Sequence, residues 1–178
     1  MPGFEKERME ARMRSIGKTY WALSAIVMML SVFGQLAIAQ DAESAASPLV
    51  GTWQVKVTLV NCQTLEPVPG LSPFSSLLTF ARGGTMAEDT TNPSFAAGQR
   101  SPGQGVWERK SHEVFYVRSA AFINFSAGGF DAGQQIIDQT ITYEKNSDQW
   151  SALAAIAFTD TTGAVYRQGC ATATATRF

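Results

Sequence analysis

Residues 52–59 alternate apolar and polar side chains without a break: Trp53, Val55, Val57 and Leu59 fall on one side of an extended chain, and Thr52, Gln54, Lys56 and Thr58 on the other. A half-buried β-strand requires this period of two, because successive side chains point to opposite faces, and a helix of 3.6 residues per turn cannot keep it. Similar segments over 76–80, 85–88, 106–110, 114–125, 134–144, 149–158 and 165–176 bring the predicted strands to eight. Turn chemistry separates them. Arg82-Gly83-Gly84 offers positive-φ residues for a tight hairpin, and Ser111-His112, Gly128-Gly129, Asn146-Ser147 and Thr161-Thr162-Gly163 are polar or glycine breaks. No segment after Gln40 combines a helical apolar period with caps, so the chain is expected to be all-β. Eight sequential strands with mostly short connections predict an antiparallel up-and-down barrel.

The chain before the strands reads as an export leader. Arg8, Arg12, Arg14 and Lys18 precede an apolar run over 20–39, and Ala37-Ile38-Ala39 places small residues where a signal peptidase inspects them. Residues 1–39 are therefore expected to be a signal peptide cleaved before Gln40, with Met9 or Met13 as alternative starts; an uncleaved anchor is the competing reading of a run this long. Residues 40–50 read as a flexible linker, and 51–178 as a single barrel domain large enough for its own core. Past the leader, nine basic residues face twelve acidic ones, a net charge of −3, and the basic residues are scattered. That excludes a phosphate-tracking surface, so no nucleic-acid partner is expected, and after cleavage no membrane partner either. A secreted or periplasmic location follows from the leader.

In an exported chain, an isolated pair of cysteines, Cys62 and Cys170, is read first as a disulfide. With His112 as the single histidine and no C-x-x-C spacing, a zinc site is not expected, and no residue set asks for a cofactor. Suppose the first and last strands pair antiparallel with Cys62 opposite Cys170. Val57 then faces Ala175, Leu59 faces Ala173, and the large residues of the first strand share a face with Ala171, Ala173, Ala175 and Arg177. Lys56, Thr58, Thr172, Thr174 and Thr176 form the solvated face, so closure, disulfide and patterning agree.

Gly51-Thr52-Trp53 opening the first strand resembles the Gly-x-Trp of the lipocalins and the wider calycin superfamily. The resemblance implies a closed eight-stranded barrel in which an arginine at the end of the last strand, here Arg177, packs across the tryptophan ring. Gly51, Trp53 and Arg177 are then structural residues of the closed end. Two features differ from the lipocalin pattern. The Thr-Asp pair, Thr159-Asp160, precedes the last strand, and that strand runs to Arg177 with no helix after it, a layout more similar to the avidins, fatty-acid-binding proteins or compact bacterial inhibitor barrels.

Function is expected to be binding of a small, mostly apolar molecule in the barrel. Trp107, Trp150 and Tyr143 are candidate aromatic contacts, or core packing. Gln139, in phase with Ile137 and Ile141, and Arg118, in phase with Tyr116 and Phe122, are candidate orienting groups, or outward side chains. Ala152, Ala154, Ala171, Ala173 and Ala175 thin the wall and favour a cavity of several hundred Å3. The alternative is a protein-binding module acting through loops 62–74 and 89–105 with Phe74 and Phe95 as anchors. A barrel isomerase or cyclase is a third reading, and it needs an inward carboxylate. Catalytic motifs are missing: Gly98–Gly105 lacks the lysine of a phosphate loop, His112 reads as a turn residue, and Glu88-Asp89 reads as a solvated strand end. Asn124-Phe125-Ser126 fits the N-glycosylation pattern.

Overall fold

A computed structural model describes residues 47–145 and 147–178; the expected leader lies outside them. Eight strands follow one another: β1 (Gly51–Val60), β2 (Phe74–Phe80), β3 (Thr85–Thr90), β4 (Gly103–Arg109), β5 (Val114–Ile123), β6 (Gly133–Glu144), β7 (Gln149–Asp160) and β8 (Val165–Arg177). Each pairs antiparallel with the next, and β1 pairs with β8, so the sheet closes into a barrel with no free edge. The connections sort by end. At one end the β2–β3, β4–β5 and β6–β7 connections are short; at the other, the long loops 61–73, 91–102 and 124–132, together with the short β7–β8 turn 161–164, frame a mouth.

The closing seam differs from the expected register by two residues. Val57 pairs with Ala173, Leu59 with Ala171 and Val60 with Cys170, while Trp53 lies directly opposite Arg177. Parity survives the shift, so the inward and outward faces are the expected ones. The reason is local. β1 stops at Val60, and Asn61 opens a turn in which its Oδ1 accepts hydrogen bonds from the Gln63 and Thr64 amides at 2.8 and 3.1 Å. Cys62 therefore reaches Cys170 from a turn rather than from across the ladder, with a Cα–Cα distance of 5.2 Å.

Trp53 is fully buried at the short-turn end. Its Nε1 donates to the Leu49 carbonyl at 2.8 Å, and the Arg177 guanidinium stacks 4.3 Å from its ring centre, a contact worth roughly 0.5–2 kcal/mol. Arg177 also donates to Pro48 O at 2.7 Å, Val50 O at 3.1 Å and Asp148 Oδ1 at 3.0 Å. It thereby ties the segment before β1 across the barrel end. Residues 47–50, assigned to the linker by composition, are packed here, with Leu49 completely buried. Above them the aromatic rings of Trp53, Trp150, Phe80, Trp107 and Phe115 meet edge to face at 6.0–6.5 Å, filling this end with side chains.

Glycine at position 51 is demanded twice. Its φ is +130°, and a Cβ there would stand 2.7 Å from Arg177 Nη1. Gly51→Ala is therefore expected to lower stability by about 1–3 kcal/mol through backbone strain and a displaced Arg177, read as a lower urea midpoint. An unchanged midpoint would mean that the Arg177 clamp contributes little.

Candidate functional site

The inward face of each strand can be followed around the barrel. One row crosses Leu78, Glu88 and Gly103 on β2, β3 and β4, and continues through Ala121, Gln135 and Phe158 on β5, β6 and β7. Glu88 is thus an interior side chain, only 9% exposed, and not the solvated strand end expected from its position. The cause is phase. Met86 and Glu88 share a face, and Met86 points into the core. Arg100 descends from the 91–102 loop over the same row. Its Nη2 donates to Glu88 Oε2 at 2.8 Å, its Nε to Gln135 Oε1 at 2.5 Å and its Nη1 to Ser101 O at 3.2 Å. The guanidinium lies between Glu88 and Gln135 because the intervening residues, Gly103 and Ala121, are small. A Cβ on Gly103 would stand 2.7 Å from Glu88 Oε2 and 3.5 Å from Arg100 Nη2.

The loop carrying Arg100 is fastened in place. Gln99 is fully buried; its Oε1 accepts from the Ala96 amide, and its Nε2 donates to Phe125 O and Ala127 O at 3.2 and 2.8 Å. Ser101 exchanges hydrogen bonds with Phe122, and Asn124 Nδ2 donates to Gly98 O at 2.9 Å, so the nitrogen of the glycosylation pattern is already engaged. Phe95 packs on Phe130 at 4.7 Å and faces Phe158 at 6.4 Å. Arg167 lies over these rings, 4.5 Å from the Phe130 centre.

A cavity of about 600 Å3 opens from this mouth into the barrel. Arg100 lies over β3 to β6 between Glu88 and Gln135, and the open space beside it is walled by β6, β7, β8, β1 and β2, with Glu88 and Thr90 of β3 at its edge. Ala154, Ile156, Gly169, Ala171 and Ala173 line one side, and Val55, Val57, Leu59, Phe74 and Leu78 the other. Small residues on β7 and β8 leave the volume that larger ones would fill. Polar groups enter at few points: Glu88, Arg100, Gln135, Gln139 and Thr90 inside, and Asn92, Ser94, Arg167 and Gln168 at the rim.

The sequence-nominated residues separate under this geometry. Gln139 lines the cavity, 8% exposed, flanked on the ladder by Val117 and Ala154. Trp107, Trp150 and Tyr143 lie in the closed-end core instead. Trp107 Nε1 pins the β2–β3 turn through Ala81 O and Thr85 O, both at 3.1 Å, and Tyr143 packs edge-on against Trp53. The buried Trp150 Nε1 has no hydrogen-bond partner among the described residues. Arg118 points out of the barrel and pairs with Asp138 at 3.3 Å. Tyr116 donates to the same Asp138, and that hydrogen bond raises the phenol above its ordinary range. Asp160, of the displaced Thr-Asp pair, caps the β7–β8 turn. Its Oδ1 accepts from the Thr162 hydroxyl and amide, bonds that hold its carboxyl below the usual value. His112 is exposed in the β4–β5 turn.

Glu88, Arg100 and Gln135 were missed as site residues. Gln135 carried a usable signal, since it is in phase with Ile137 and Gln139. Arg100 carried none, because it stands in a loop without periodicity.

Fold and site together define a closed, eight-stranded antiparallel barrel, plugged with aromatic side chains at one end and open to an interior cavity at the other. The architecture is consistent with a calycin-like fold. No protein-family model and no curated protein matches the chain.

Proposed function

We propose that this protein is an exported calycin-type barrel that carries a small, mostly apolar molecule in its interior. The observation supporting this most directly is the cavity, whose volume of about 600 Å3 lies within the range typical of small-molecule sites. Its walls are chiefly aliphatic and aromatic, so transfer of a ligand from water gains roughly 25 cal/mol per Å2 of apolar area covered. Gly51, Trp53 and Arg177, together in the closed end, support the lipocalin-like assignment. The leader supports export, and the disulfide is compatible with an extracellular or periplasmic location.

Two other readings have less support. Phe74 and Phe95, the anchors a protein-binding module would present, are half-buried and line the cavity instead of standing free. A barrel isomerase would use the inward carboxylate of Glu88, but Arg100 already engages it.

A fluorescence titration with the uncharged dye N-phenyl-1-naphthylamine tests the carrier reading. Saturable micromolar binding by the oxidised protein is expected, along with at least a tenfold loss in Ala171→Phe, whose added ring enters the cavity from β8. Binding that Ala171→Phe leaves unchanged, in a variant with native near-ultraviolet circular dichroism, would place the dye elsewhere and sink the proposal.

A further inference from the structure

The polar groups inside the barrel carry more than a capacity for apolar ligands. Gln139 is more than nine-tenths buried, and its side-chain carboxamide opens on the cavity, where no side chain or backbone group of the described residues hydrogen-bonds to it. Its ladder neighbours, Val117 and Ala154, have nothing to offer it. Buried side-chain amides are seldom left unpaired, and a carboxamide offers one acceptor oxygen and two N–H donors, all without net charge.

The charged groups of the interior are already matched with each other. Glu88 holds Arg100 at 2.8 Å, and the other Arg100 nitrogens are spent on Gln135 Oε1 and Ser101 O. Inside the barrel an ionic ligand group would therefore meet no free counter-charge, and stripping it of water without one is costly. Arg167 is a cation without an ion pair among the described residues, but it stands exposed at the rim with its guanidinium over Phe130 and Phe158. A ligand acid reaching Arg167 would keep its head at the mouth and leave Gln139 facing only hydrocarbon.

We infer that the cavity selects an uncharged ligand, an apolar body bearing an amide, carbonyl or hydroxyl group that pairs with the Gln139 carboxamide. The inference rests on the carrier reading and specifies its ligand class. Gln139 is the specificity-determining residue, and the Glu88–Arg100 pair excludes ions by leaving no charge unmatched.

The test compares dodecanamide with dodecanoate by displacement of N-phenyl-1-naphthylamine at pH 8, where the acid is ionised. The amide is expected to bind at least tenfold more tightly. Gln139→Met should weaken the amide about tenfold relative to dodecanoate and so abolish most of the discrimination; Gln139→Leu serves if the methionine variant does not fold. Equal or tighter binding of dodecanoate would overturn the inference in favour of a head group at Arg167. So would a Gln139→Met variant that keeps the amide affinity. In both cases the carrier reading stands. Failure of the dye and both probes to bind overturns the carrier reading and the inference with it.

Discussion

Arg100→Met is expected to lower the unfolding free energy by about 3–5 kcal/mol, the range for leaving one member of a buried ion pair without its partner. Both side chains are well covered, Arg100 at 5% and Glu88 at 11% exposure, so water screens the bared carboxylate poorly. Removing both charges is a different experiment. In Glu88→Gln with Arg100→Met no uncompensated ion remains, and most of the lost stability should return. Urea unfolding of the two variants decides the matter. A double variant as unstable as the single one would mean that Arg100 acts by filling space and fastening its loop, not by neutralising Glu88. The arginine also shapes the cavity, since its guanidinium fills the space between Glu88 on β3 and Gln135 on β6 and leaves the open volume to the side walled by β6, β7, β8, β1 and β2.

The barrel was legible because its physics is local and repetitive. Alternation over 52–59 marks an inward face, and once β1 is known, the alternating alanines of β8 identify a partner strand. The register was misjudged by two residues because a disulfide constrains Cα separation without requiring ladder opposition, and Asn61 had already turned Cys62 out of the strand. The site was less legible for a related reason. Gln139 could be placed by phase, but Arg118 lay on a strand apolar on both faces, where phase carries no information, and it points outward. Trp107 and Trp150 are cavity-sized side chains whose position along the barrel axis no alternation reveals, and both lie among the closed-end rings. Arg100 is the extreme case. It meets Glu88, 12 residues away in sequence, only because the loop after β3 folds back over the mouth and is held there by Gln99.

Loss of the Cys62–Cys170 bridge should have the largest effect on stability. The cysteines are 108 residues apart in the chain, and for a loop of that length the chain-entropy argument gives about 4–5 kcal/mol. The position of the bridge suits that size of effect. β1 and β8 form the most sequence-distant pairing in the barrel, the one that costs most entropy to close, and Cys62 joins β8 just past the last residue of β1. Without the bridge, the seam is held at the other end by Arg177 and between by ladder hydrogen bonds whose inward contacts are largely to alanine. Cys62→Ser with Cys170→Ser, or the reduced native protein, is expected to unfold at much lower urea and to lose protection from hydrogen exchange first along β1 and β8. If the bridgeless protein keeps its midpoint to within about 1 kcal/mol, the seam is self-sufficient and the Trp53–Arg177 clamp with the aromatic plug above it is what holds the barrel shut.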